Sequence, residues 1–250
     1  MVGEGSRMDD LCAHCGEMQR CILSTLKPEE LAIWKTLFVN KSFRKGDIIF
    51  WEDEEAEGLY LLCSGAVKLV KAIENGDQQI VRLIGPGGFF GLPSLVSEKT
   101  HFCTCRAIDQ AQLRFVSRRP FLDFLETFPG FTFQLIGKLA EELGLTRLRL
   151  LESGLKNGRQ RIAALLLWLG KEFGRSAPAG IEVDIDLPRA DLASLAGLTT
   201  ETTIRILSSF RQGGMIADGH RKRIILCDQA GLQSLAGNGQ QPNFDRAWLD

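Results

Sequence analysis

The sequence lacks any apolar run near the roughly 18 to 20 residues that a membrane-spanning helix needs. Its opening, MVGEGSRMDD, lacks the basic-then-apolar order of a signal peptide. A cytoplasmic location is therefore expected, with no membrane partner. Histidine is scarce: His14, His101 and His220 are the only three. No nucleophile, base and orienting group can be assembled around them, so the chain is not expected to be an enzyme. Net charge is nearly absent at −1, which argues against a protein that coats nucleic acid indiscriminately. With 8 prolines and 44% hydrophobic residues in 250 positions, disorder is expected only at the ends. The rest is long enough for one large domain or two ordinary ones.

What the chain does have is cysteine in a dense arrangement. Three of its seven cysteines fall in LCAHCGEMQRCIL (11–23), as Cys12-x2-Cys15-x5-Cys21. In a reducing compartment an odd count reads as metal-binding or redox thiols rather than disulfides. Thiolates suit iron–sulfur clusters and Zn²⁺ alike, so the spacing leaves both open, with His14 and His101 available as extra zinc ligands. Unligated thiols on a frayed tail are the third possibility. Cys63 and Cys227 read as small buried hydrophobes.

Charge is also unevenly placed. Between Arg189 and Leu226 stand six basic residues (Arg189, Arg205, Arg211, Arg221, Lys222, Arg223) against three acids, whereas WEDEEAEG (51–58) carries five acids. Such asymmetry marks one nucleic-acid-facing domain.

From about 40 to 118, short apolar runs such as LYLLC, AVKLVKA and QIVRLI are broken by glycines, the pattern of an antiparallel β-roll or sandwich. Beyond Pro120 the period becomes helical. Ile136, Leu139, Leu143, Thr146 and Leu150 follow the 3-4-3-4 spacing of a two-stranded coiled-coil seam, with Leu135, Leu145, Leu148 and Leu151 as further apolar surface. One face is expected against a second copy of the chain and the other against the β-domain; the alternative is a helix packed wholly within the monomer. RQRIAALLLWLGKEFG (159–174) is another amphipathic helix, and RSAPAG (175–180) reads as a linker.

The most informative stretch is LPRADLASLAGLTTETTIRILSSFRQGGMIADGHRKRIILCD (187–228). A short helix, a turn with glycine and a second helix N-capped by Thr199 make a helix-turn-helix, with Ile206, Leu207 and Phe210 on the buried face. Thr200, Glu201, Ile204 and Arg205 then face outward. Arginine can donate two bonds to guanine, glutamate can accept from cytosine and isoleucine can touch a thymine methyl. The alternative is a surface ion pair between Glu201 and Arg205. GGMIADGHRKRIILC reads as a β-hairpin wing whose tip, His220, Arg221, Lys222 and Arg223, could lie against phosphates.

The roll string KGDIIFWEDEEAEGLYLLCSGAVKLVK, the long helix and GLTTETTIRILSSFRQGGMI with its wing resemble the CRP/FNR family of bacterial transcription regulators over about residues 26–232. The resemblance implies an α+β fold: a cysteine-rich segment (1–25), a cyclic-nucleotide-binding-like β-roll (26–120), a dimerisation helix (121–156), a C-terminal winged helix-turn-helix (157–236) and a tail expected to be mobile (237–250). Glu201 and Arg205 match the pair with which the family reads a G·C pair. Ile204 departs from the serine usual in the FNR branch. At the family's ribose and cyclic-phosphate positions stand Leu92, His101 and Phe102, which gives cyclic AMP little support.

The FNR branch carries Cys-x2-Cys-x5-Cys ahead of the roll and one cysteine inside it, together holding an oxygen-labile [4Fe-4S] cluster. Cys12, Cys15 and Cys21 match. Arg114 occupies the place of the fourth, so Cys105 is expected to replace it, with Cys103 as the other choice. A two-residue turn at Asp109-Gln110 would pair position 105 with 114. The resemblance thus implies an oxygen- or redox-responsive homodimer that binds an inverted repeat on double-stranded DNA and meets RNA polymerase. The rival is a family member sensing a small effector or haem in the roll, its cysteines binding zinc or incidental.

Overall fold

The computed structural model describes residues 21–72, 78–96, 100–220 and 223–237; the side chains at 148, 149 and 151–153 also lie outside the description. Cys12, Cys15, His14, Arg221, Lys222 and the tail after Gly237 therefore fall outside the described residues. The chain divides into two compact units that meet in sequence at Lys138 and Leu139, except that residues 78–81 group with the second.

The first unit is built on two four-stranded sheets. Their strands are β1 (Phe38–Phe43), β2 (Ile48–Phe50), β3 (Gly58–Ser64), β4 (Val67–Ala72), β5 (Gln78–Ile84), β6 (Phe89–Phe90), β7 (Thr104–Ala107) and β8 (Ala111–Ser117). The orders are β1-β8-β3-β6 and β2-β7-β4-β5, with antiparallel pairing. Alternation decides which side chains meet: Tyr60 faces Phe115 and Leu62 faces Leu113 across the β3–β8 ladder. All four join Phe50, Val67, Leu69 and Phe90 in one apolar core. Gly58 is required where β3 runs beside β8, because a Cβ there would stand 2.1 Å from the Val116 carbonyl oxygen.

Helices α1 (Pro28–Leu37), α2 (Leu92–Val96) and α3 (Arg118–Thr127) accompany the roll, and α4 (Pro129–Leu155) leads out of it. The ring of Trp34 on α1 meets Phe121 and Phe124 of α3 and Phe131 of α4, at centroid distances of 6.1, 5.1 and 5.9 Å. The segment read as one helix is thus two. Pro129 disfavours helical backbone at Phe128, which sits at φ −121°, ψ 74°, and then starts α4 from a position where no amide is needed.

On α4, Phe131 and Leu135 are buried, whereas Ile136, Leu143 and Leu150 are 55%, 51% and 74% exposed. Leu139 is half-buried, and Thr146 is exposed with its hydroxyl donating to the Glu142 carbonyl at 2.8 Å. Among the described residues α4 is thus covered only over its first turns, at Phe131 and Leu135, and the rest presents an apolar stripe left bare in a single chain.

The second unit gathers α5 (Gly158–Phe173), α6 (Arg189–Ala196), α7 (Thr200–Gln212) and α8 (Gln229–Ala236) against a sheet of order β11-β12-β10-β9. Asn157 and Gln160 start α5 with a capping box: each backbone amide donates to the other's side-chain oxygen, at 2.9 and 3.1 Å. The wing is the hairpin of β11 (Ile216–Asp218) and β12 (Ile224–Leu226). RSAPAG, expected as a linker, instead forms β9 (Gly174–Ala177) and turns into β10 (Gly180–Val183). Gly180 makes this possible at φ +139°, since a Cβ would lie 2.0 Å from the Leu226 carbonyl oxygen of β12.

Candidate nucleic-acid interface and thiol site

The turn between α6 and α7 follows from two residues. Gly197 ends α6 in the left-handed region, at φ 62° and ψ 43°, its amide donating to the Ser194 carbonyl at 3.1 Å while Leu198 N–H donates to Ala193 at 3.0 Å. Thr199 then caps α7, its hydroxyl accepting from the Thr202 amide at 3.2 Å. Thr203, Ile206, Leu207 and Phe210 are buried at 0%, 8%, 1% and 0% exposure. Thr200, Glu201, Ile204 and Arg205 stand exposed on the opposite face, where the sequence pattern put them.

An open groove runs along this face, lined by Glu201, Ile204, Arg205, Ser208, Ser209 and Gln212. Ser208 and Gln212 extend the outward stripe and were not singled out from the sequence, although the same helical period reaches them. Arg205 points its Nη2 toward the Thr202 hydroxyl at 3.5 Å, and among the described residues it makes no ion pair with Glu201. Both side chains are thus presented separately. Behind the face, Arg159 donates to the Ser209 hydroxyl at 2.8 Å and lies 5.1 Å from the Phe210 ring centre. Arg161 donates to the Gly197 carbonyl at 3.2 Å, pinning the turn.

The wing departs from expectation at Arg223. Its guanidinium is bonded to Asp184, which also takes Arg175. This half-buried arginine is engaged within its own unit instead of lying free for a phosphate. His220 is exposed, its amide donating to Glu182 at 2.9 Å.

The thiols fall into different environments. Cys21 is 8% exposed and leads a 3₁₀ turn at Ile22–Thr25. Cys103 and Cys105 are 2% and 0% exposed within the roll's apolar core. Burial pushes the Cys103 thiol up to about 11 and the Cys105 thiol well above its ordinary range. Cys227, expected to be buried, is exposed, and Cys63 is half-buried.

The expected pairing of Cys105 with Arg114 does not occur. Cys105 sits opposite Phe50 and Leu69 in one sheet, and Arg114 opposite Asn40 and Leu61 in the other. After β7, Ile108 N–H donates to Ala66 O, and the chain crosses from one sheet to the other instead of folding back as a hairpin. Arg114 is 2% exposed, its guanidinium 4.2 Å from the Phe38 ring centre. Among the described residues no three His, Cys, Asp or Glu side chains come together as a metal site.

The interior of the roll is filled by packed rings. His101, 2% exposed, stacks on Phe50 at 3.6 Å, and burial lowers its pKa, favouring the neutral ring. Beyond this stack, the rings of Phe50, Tyr60, Phe90 and Phe115 pack on one another at 4.9 to 6.1 Å. Leu92 is buried and Phe102 is exposed. None of the three supplies a fixed cation.

A cyclic nucleotide-binding domain family model matches residues 40–128, and a Crp-like helix-turn-helix domain model matches residues 160–235. The transcriptional activator protein FnrL of Cereibacter sphaeroides is 26% identical over 231 residues, 91% of this chain and 92% of that protein. The fumarate and nitrate reduction regulatory protein of Escherichia coli is 27% identical over 228 residues, 91% of this chain and 90% of that protein. Among solved structures, FixK2 from Bradyrhizobium japonicum is 28% identical with a TM-score of 0.71, covering 79% of this chain and 96% of that one. A β-roll of the cyclic nucleotide-binding type followed by a Crp-like helix-turn-helix places this chain in the CRP/FNR family of DNA-binding transcription regulators.

Proposed function

We infer that this regulator is of the FNR type: a cytoplasmic homodimer in which a [4Fe-4S] cluster held by the N-terminal cysteines answers to oxygen or redox state and controls DNA binding. The observation that carries this reading is the pairing of Cys12-x2-Cys15-x5-Cys21 with a roll interior already occupied by packed rings. The input is then sought at the thiols instead of in the roll. The likeness to proteins named FnrL and fumarate and nitrate reduction regulatory protein supports the same assignment. No described helix is long and apolar enough to cross a membrane.

The donor chemistry fits the group, since thiolates are the usual ligands of iron–sulfur clusters. When bound, the cluster supplies a redox-labile crosslink between the N-terminal segment and the rest of the chain. The protein's own residues supply the readout. The stripe of α4 formed by Ile136, Leu143, Thr146 and Leu150 with the half-buried Leu139 joins two copies. Each α7 enters a major groove with Thr200, Glu201, Ile204 and Arg205 at the base edges, Arg221 and Lys222 reach phosphates, and the assembled dimer meets RNA polymerase. Such coupling needs an element with two states that both sites bias, and α4 is that element.

Protein prepared without oxygen is expected to be brown, to hold about four irons per chain, and to bleach in air with weakened dimerisation. Absorption, iron and sulfide assays and sedimentation measure this. Colourless anaerobic protein with one tightly bound zinc is the contrary result. For the DNA face, Arg205→Ala is expected to cost about 1–3 kcal/mol on an inverted repeat of the TTGAT…ATCAA kind and to relax preference at its guanine. Lys222→Ala should instead weaken all sequences alike and lower the salt dependence. Equal losses for Arg205→Ala on specific and random duplexes would make it a backbone contact.

A further inference from the structure

The fourth ligand of such a cluster is open, because a buried arginine holds the family's usual position. The β3–β8 ladder indicates where else to look. Tyr60, Leu62, Leu113 and Phe115 point into the roll, so the alternating residues Leu61 and Arg114, which sit directly opposite each other, point outward. The register then slips between Leu62 and Ser64, leaving Cys63 as the extra residue of a bulge facing Gln112. In such a bulge Cys63 shares the side of Ser64, opposite Gln112 and away from the core that holds Leu62 and Leu113, and both residues are half-buried. Cys63 is not part of the interior core, is half-buried, and holds its Sγ 4.0 Å from the Leu61 carbonyl oxygen.

Cys103 and Cys105 occupy the contrary environment. Both belong to the interior core with Phe50, Tyr60 and Leu69. A ligand there would require the N-terminal segment and an iron–sulfur cube to enter between two packed sheets. On the outer side no such opening is required. α3 packs against β3 and β8, and Trp34 of α1 packs on α3. The chain following Cys21 therefore runs into the helical layer outside the roll. Arg114, opposite Leu61, lies on the same outer face two ladder positions from Cys63, where its charge would offset the negative charge that four thiolates bring.

We propose that Cys63 is the fourth ligand, completing the set Cys12, Cys15 and Cys21, and that Cys103 and Cys105 are core residues without a metal role. The assignment rests on the FNR-type reading. Its test is to prepare wild type, Cys21→Ala, Cys63→Ala, Cys103→Ala and Cys105→Ala as full chains without oxygen and to measure iron, sulfide and visible absorption. Cys63→Ala is expected to fall to the background level of Cys21→Ala, while Cys103→Ala and Cys105→Ala keep the wild-type content. Full cluster in Cys63→Ala overturns the assignment, and loss confined to Cys105→Ala or Cys103→Ala returns the ligand to the core.

A wild type that itself holds no cluster overturns the FNR reading and this assignment together, which distinguishes that failure from a misplaced ligand. Anaerobic iodoacetamide labelling of wild type guards against a variant that fails to fold. Cys63 is expected to be protected in the loaded protein and labelled once the cluster is removed, and equal labelling in both states overturns the assignment.

Discussion

Phe210→Ala is expected to destabilise the second unit by about 3–5 kcal/mol, a large share of the roughly 5–15 kcal/mol that holds a domain folded. Phe210 is 0% exposed, lies beneath the reading face of α7 and is overlaid by the Arg159 guanidinium. Deleting the ring leaves a cavity among elements held by the capped turn at Gly197 and Thr199, so it cannot close cheaply. Denaturant unfolding of the full chain should show the transition of this unit shifted, and binding should fall on specific and random DNA alike. Arg205→Ala touches no core and should leave that transition in place while affecting only specific sequences. The two substitutions, five residues apart on one helix, thus separate folding from reading. A loss below about 1 kcal/mol for Phe210→Ala would mean that α7 is not packed as described.

The contrast explains which features could be read from the sequence. On α7 the information is local: a 3.6-residue period, a threonine cap and a left-handed glycine fix which side chains are buried, and all three are visible in GLTTETTIRILSSF. The bare stripe of α4 was legible for the same reason. The break at Pro129 is marked in the sequence as well, since a residue preceding proline is held out of the helical region.

The roll hid more, because its pairings are not local. A hairpin and a crossing between two sheets look alike around Asp109-Gln110, since either one gives alternating apolar residues on both sides of a short turn. Only the partners β1, β2, β3 and β4, up to seventy positions away in hydrogen-bonded pairs such as Ser42 with Gln112, decide between them. That error carried Cys105 to the wrong neighbour. The bulge that leaves Cys63 without a ladder partner has no mark in LYLLCSG, where a half-buried cysteine and a buried one read the same. β9 was missed because it is an edge strand without an apolar face, held by backbone pairing to β10 and by the Arg175–Asp184 pair.

The remaining large effect concerns the α4 stripe. Placing glutamate at both Ile136 and Leu143 is expected to convert the dimer to monomer. The two side chains are 55% and 51% exposed in the single chain, so the change removes little internal packing, and the folded monomer should nearly keep its unfolding transition. In a dimer, two such residues from each copy would be buried. At about 1.5 kcal/mol for each side chain, the four together contribute about 6 kcal/mol, before counting the repulsion of facing carboxylates. Since about 1.4 kcal/mol is a factor of ten, dimerisation should weaken by about 10⁴-fold. Binding to an inverted repeat depends on two reading helices spaced by the dimer, so specific affinity should drop toward that for random duplex while Arg205 and Glu201 remain intact. Sedimentation of the anaerobic protein and a titration with both duplexes measure the two effects. A variant that stays dimeric would place the joining surface elsewhere on the chain, and one that becomes monomeric yet keeps specific affinity would show that a single reading helix suffices.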